Sequence, residues 1–395
     1  MERPYDQHGA RLGSASARWL VTAVALVLVG GAIATALSRQ NGSGHRLPAV
    51  AAAGRAASTA AGKAASPGGP ASTAQVTLAP TTTRPPVVIP SGPVALAGCP
   101  PPPPPPPCPT CPPPYHPKVL IPDVALPATP VATPRVPVEA VVGGKGMWIW
   151  MLKATEGGDA DAIVRRATAA GLRQLWVRVG DSTDGFYGAH VLDALAPKAH
   201  AAGLSVIGWG FPYFYDPVGD AHWTADALAW RGSDGRGLDG FSPDIETSSE
   251  GVLLNARRTT LYLGLVRQAA SGRPIVATVF PPTDRTLTFY PFQQIAPYVD
   301  AFAPMVYWGC VEPGQAAIQA MSRLAPLAAL APVHLIGQAY DMGPEGGRHG
   351  SPSSDEILRF LDVARKAGAS GASFWVWQDM TASEWSALSD YPWGA

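Results

Sequence analysis

The sequence predicts an α/β fold: a (β/α)8 TIM barrel carried behind a membrane anchor and a disordered linker rich in Pro, Ala and Thr. Three observations predict it. Twenty-six of the 43 prolines lie between Pro48 and Pro137, whereas eleven of the 12 tryptophans follow Lys145. The front therefore lacks the apolar surface for a core, and the back has it in plenty. From Gly146 onward, short apolar runs alternate with helical stretches eight times in about 245 residues, the size of such a barrel. Ahead of both lies one uncharged apolar run, Trp19 to Leu37.

That run is nineteen residues long. At ~1.5 Å rise per residue it spans a ~30 Å hydrocarbon core as a helix. Residues 1–18, with Arg3, Arg11 and Arg18, are expected on the cytoplasmic side, and Arg39 closes the span. The competing reading is a cleaved signal peptide, since Ala34-Thr35-Ala36 fits a small-x-small site. Both readings export the remainder. Residues 38–144 are expected to be a disordered spacer, with Pro100 to Pro107 a stiff polyproline II rod. Cys99, Cys108 and Cys111 sit within this stretch and Cys310 stands alone. The C-x-x-C at 108–111 has the spacing of a redox pair or half a zinc site, but its proline flanks suit a simple crosslink or a free thiol pair.

Lys+Arg and Asp+Glu both number 29, so the net charge is zero. Residues 1–144 hold ten basic and four acidic side chains, about +6; residues 145–395 hold nineteen and twenty-five, about −6. A nucleic-acid-binding face is not expected on the acidic back part.

Within residues 145–395, strands are expected at 147–152, 174–179, 204–209, 240–246, 275–280, 301–308, 334–340 and 372–377. Helices are expected at 160–170, 191–202, 224–230, 259–270, 314–330 and 354–366, with a poorly defined one near Phe292. Gly171, Gly203 and Gly368 mark helix ends just before strands. An open doubly wound sheet is the alternative, but no G-x-G-x-x-G follows the first strand.

Catalytic groups of such barrels sit at the C-terminal strand ends. The fourth strand runs Asp239-Gly240-Phe241-Ser242-Pro243-Asp244-Ile245-Glu246. Side chains alternate, so Ser242, Asp244 and Glu246 share one face while Phe241, Pro243 and Ile245 take the other. The apolar face suits the outer helices, so the polar face must point into the barrel, with Glu246 nearest the mouth. Two carboxylates so close in low dielectric repel each other, and one should hold a proton near neutral pH. A general acid for glycosidic bond cleavage needs that property.

These residues resemble the signature of the family 18 glycoside hydrolases, the chitinase and endo-N-acetylglucosaminidase group, which is D-G-x-D-x-D-x-E. Asp239, Gly240, Asp244 and Glu246 stand in register, and Ser242 replaces the middle Asp. Met305-Val306-Tyr307 matches the family's M-x-Y on the sixth strand, and Trp375 and Trp377 are the options for its eighth-strand Trp. The resemblance implies substrate-assisted cleavage of an N-acetylhexosamine polysaccharide, cell-wall peptidoglycan or a chitin-like glycan, with no metal and no cofactor. Glu246 would protonate the leaving oxygen and Asp244 would orient the substrate acetamide as it attacks the anomeric carbon. Tyr307 would hydrogen-bond the acetamide, and Trp377 would floor the site. Ser242 can hydrogen-bond Asp244 but cannot share its charge, which leaves open lower activity or a shifted pH optimum. Family 25 muramidases also end a barrel strand in D-x-E.

Around this strand, Trp209 and other aromatics at strand ends suit stacking on pyranose faces. Arg178 ends the second strand facing inward, toward Glu246, an acidic sugar or a salt bridge with Asp181 or Asp184. Gln338 and Tyr340 are expected site walls. His200, His222, His334 and His349 lack metal-ligand spacing. No nucleophile elbow or P-loop occurs. A non-catalytic sugar-binding barrel and a structural cell-surface protein remain as alternatives.

Overall fold

The computed structural model describes residues 137–328 and 331–393. The expected cytoplasmic tail, membrane span and nearly all of the linker lie outside the described residues. Among the described residues there are nine strands: β1 (Gly144–Ile149), β2 (Gln174–Asp181), β3 (Gly185–Phe186), β4 (Ser205–Phe211), β5 (Gly240–Ile245), β6 (Val276–Val279), β7 (Ala301–Val306), β8 (His334–Gln338) and β9 (Gly371–Trp375). All but β3 run parallel, each pairing with the next, and β1 pairs with both β2 and β9, which closes an eight-stranded barrel. The short β3 folds back antiparallel on the end of β2.

The helices are α1 (Val138–Val142), α2 (Ala160–Ala169), α3 (Ala189–Ala201), α4 (Pro217–Ala229), α5 (Ala256–Ala269), α6 (Phe292–Ile295), α7 (Pro313–Leu324), α8 (Ser354–Lys366) and α9 (Ala382–Asp390). Gly171, Gly203 and Gly368 take positive φ of 64°, 76° and 85° just past α2, α3 and α8. Only glycine adopts that left-handed turn without cost, and it returns the chain to the next strand. Helix α8 opens on a full capping box between Ser353 and Glu356.

Alternation along the strands splits the interior in two. Leu175, Val177, Phe241, Ile245, Phe302 and Phe374 face the helices and form the larger core. Trp148, Trp176, Ile207, Trp209, Val276, Ala303, Met305 and Ile336 fill the lumen. Trp148 and Trp176 are in register on adjacent strands and stack at 4.8 Å. Gly146 makes room for them: a Cβ there would lie 2.8 Å from Trp176 Nε1. Val138 and Val142 join the lumen cluster. Residues 138–144 thus belong to the barrel, as floor helix α1 and the start of β1, rather than to the expected linker.

At the C-terminus, α9 was not expected from the sequence. It is tied to β1 by Lys145, whose Nζ donates to Leu388 O at 2.6 Å and Tyr391 O at 2.8 Å. Burial lowers this ammonium to about 8, against the pull of Asp390. Among the described residues no helix is long and apolar enough to cross a membrane.

Candidate active site

The barrel's polar interior is concentrated on β5 and its neighbours. Ser242 and Asp244 point into the lumen, and Glu246 stands just past the strand end. Asp244 is 7% exposed, whereas Glu246 is partly open to solvent. Asp244 Oδ1, Glu246 Oε2 and Arg178 Nε are all buried without a hydrogen-bond partner. Unmatched polar atoms of this kind are costly, and the Arg178 charge is near enough to act on the Asp244 carboxyl.

Electrostatics couple the two carboxyls. Burial raises the Asp244 carboxyl, with the Arg178 guanidinium pulling the other way and Glu250 adding to the rise. Burial also holds Glu246 well above the usual carboxylate range, and the charges of Asp244 and Glu250 push in the same direction. Burial and mutual repulsion therefore both favour the protonated form in this pair.

Tyr307 follows β7 and packs against the lumen cluster. Its ring meets Tyr340 edge-on at 5.6 Å. Burial raises its phenol strongly, and Tyr340, Asp244 and Glu246 contribute, which places it within electrostatic reach of both carboxyls. Trp375 lies 5.4 Å from Trp209 and stacks on Trp150 at 6.0 Å between centroids. Trp150, Tyr307 and Trp375 are partly exposed aromatics packed against the lumen cluster, and of the three Tyr307 is the one within electrostatic reach of the carboxyl pair. Arg178 makes the expected salt bridge with Asp181, at 3.1 Å, and lies over the Trp209 ring. Met305, in register with Ile336, packs against the lumen wall.

Other expected site residues are placed elsewhere. Trp377 falls past the end of β9, behind the barrel wall. It packs against Trp385 at 4.7 Å and donates to Glu156 at 3.1 Å, so Trp375 and not Trp377 faces the lumen. Asp239 lies at the opposite end of β5, accepting from His200 at 3.1 Å, Val206 N at 2.8 Å and Arg236 at 2.9 Å. Ser242 does not bond Asp244; its hydroxyl donates to Val276 O at 2.6 Å and pairs with Thr278 at 2.8 Å. Gln338 is buried, accepting from Gly309 N at 2.9 Å and donating to Tyr340 O at 3.0 Å, so it braces two loops. Tyr340 donates to Glu345 at 2.8 Å. Cys310, solitary in sequence, is disulfide-bonded.

Sequence reasoning missed Tyr290. Its hydroxyl donates to Ile245 O at 2.6 Å, pinning the backbone between the two carboxyls. It lies in an irregular loop after β6, where no periodicity could single it out. Glu250, in the turn after β5, was also missed. Among the described residues no group of three or more His, Cys, Asp or Glu is arranged to hold a metal ion.

No protein-family model matches this chain, and no curated protein matches it in sequence. Solved structures do. A class V chitinase from Pseudomonas fluorescens is 11% identical, with a TM-score of 0.46, covering 62% of this chain and 98% of that one. A family 18 chitinase from Cycas revoluta, in complex with allosamidin, is 12% identical, with a TM-score of 0.46, covering 62% of this chain and 98% of that one. A spore cortex-lytic enzyme from Bacillus megaterium is 10% identical, with a TM-score of 0.45, covering 63% of this chain and 74% of that one.

Proposed function

We propose that this chain is a glycoside hydrolase acting on an N-acetylhexosamine-containing polysaccharide. The observation that carries the reading is the pair Asp244 and Glu246: alternate positions at the mouth end of β5, each with one buried oxygen that has no hydrogen-bond partner, and both pushed by burial toward the protonated form. Glu246, nearer solvent, gives its proton to the glycosidic oxygen. Asp244, deeper and beside Arg178, keeps negative charge to stabilise the positive charge that develops at the anomeric carbon and acetamide. Tyr307 hydrogen-bonds the substrate, and Trp375 supplies the apolar floor for the sugar ring. The polymer is peptidoglycan or a chitin-like glycan, met outside the cell by a domain tethered through residues 19–37. No cofactor enters this chemistry.

The test is hydrolysis of chromogenic N-acetylglucosamine oligomers by the full chain. Wild type turns them over, and Glu246→Gln lowers kcat by at least ~100-fold, the scale of general acid catalysis. Equal rates would remove Glu246 from the mechanism. Glycan binding without turnover in wild type would instead favour the non-catalytic sugar-binding barrel.

A further inference from the structure

A concavity opens on the loops that follow β5 and β6. A cavity of about 330 Å³ lies between the loop after β5 and the loop after β6, lined among others by Asn255, Leu287, Phe289, Tyr290, Gln293 and Gln294. That volume is at the low end of small-molecule sites. Exposed large hydrophobics are few among the described residues, yet two of them meet here: Phe289 at 52% and Leu287 at 41%. Exposed apolar side chains clustered at a concavity mark a contact surface rather than stray surface residues.

The composition of the wall narrows the ligand. None of the residues lining the cavity is charged. An aromatic face beside several side-chain amides suits the apolar faces and hydroxyls of a neutral pyranose, and the wall holds no cation to pair with a phosphate or a uronate. The position narrows it further. Tyr290 lines the cavity, and the same side chain reaches Ile245 O between Asp244 and Glu246. Tyr290 thus ties the cavity wall to the backbone between the two carboxyls.

We infer that the cavity is an accessory subsite that binds a neutral sugar of the same glycan chain, one or more units away from the bond cleaved, with Phe289 as its stacking platform. The inference rests on the glycan-directed reading above but is separable from it. The subsite makes the protein prefer long oligomers over short ones, because only a long chain reaches from the carboxyl pair past Tyr290 to Phe289.

The experiment uses full-length Glu246→Gln, which removes turnover, titrated calorimetrically with N-acetylglucosamine dimer and hexamer. Adding Phe289→Ala weakens hexamer binding roughly tenfold, about 1.4 kcal/mol, and leaves the dimer unchanged. Gln293→Ala, also at the exposed edge, weakens the hexamer in the same direction. Thermal melts confirm that both variants fold, as expected for exposed positions. Equal hexamer affinity with and without Phe289, or no hexamer binding at all, overturns the subsite. Phe289-dependent hexamer binding in a wild-type protein that turns over no oligomer retains the subsite and sinks the hydrolase reading instead.

Discussion

Glu246→Gln isolates the energetic cost of burying a second carboxyl next to Asp244. Glutamine keeps the shape and removes the titration. Burial and the Asp244 and Glu250 charges raise the Glu246 carboxyl in the folded state, whereas in the unfolded chain it titrates near ~4.3. A raised folded pKa means the native state holds a proton that the unfolded state has released. Stability therefore falls as pH rises from about 4.3 toward the folded value. The slope is about 1.4 kcal/mol per pH unit in that window. For a domain of this size that corresponds to roughly 3–6 °C in Tm per unit. Thermal melts of wild type and Glu246→Gln from pH 4 to 8 provide the assay. The curves should meet near pH 4, where both side chains are neutral, and separate as pH rises, the variant becoming the more stable. A constant offset across the range would refute the reasoning, since it would mean that Glu246 titrates alike in both states.

The two C-terminal tryptophans should part company. Trp375→Ala removes the proposed floor and abolishes turnover of N-acetylglucosamine oligomers, whereas Trp377→Ala leaves kcat/KM intact and costs about 3–5 kcal/mol in chemical denaturation, the usual cost of a buried aromatic. Asp239→Asn breaks the His200 and Arg236 pairs at the far end of β5. It lowers stability by about 1–3 kcal/mol, with kcat unchanged below the melting range. Lys145→Met removes the clasp on α9. Because the Lys145 pKa is lowered to about 8, wild type gains stability as pH rises from about 8 toward the unfolded value near ~10.4. The Met variant lacks that gain in melts across the same range.

The barrel was legible because its strands are short apolar runs and its helix ends are marked by glycine. The carboxyl pair was legible because Ser242, Asp244 and Glu246 alternate with Phe241 and Ile245, and a period of two admits one inward face. The same arithmetic separates Asp239 from the site: five residues of strand at ~3.3 Å each put it ~16 Å from Asp244, so a shared motif does not mean a shared pocket. Strand ends were harder. Trp375 and Trp377 point the same way in an unbroken strand, but β9 stops at Trp375 and the chain turns outward. Apolar periodicity starts α4 at Thr224, whereas the helix begins at Pro217, where Asp216 caps it and proline takes the first helical position. Ser242 found partners on β6 because Thr278 and the Val276 carbonyl lie across the ladder, a neighbour relation that no single strand reveals. Tyr290 and Phe289 sit in an irregular loop whose place follows from the closure of the barrel and from no local pattern.

Burial and the neighbouring Asp244 charge together raise the Glu246 carboxyl above the usual glutamate range. Carbon-13 NMR of side-chain carboxyls in uniformly Glu-labelled protein, with Glu246→Gln to assign the signal, measures this directly. The expected Glu246 resonance titrates above an exposed glutamate, and its midpoint moves to lower pH in Asp244→Asn, where the neighbouring charge is gone. A Glu246 signal that titrates like an exposed glutamate, indifferent to Asp244, would contradict it.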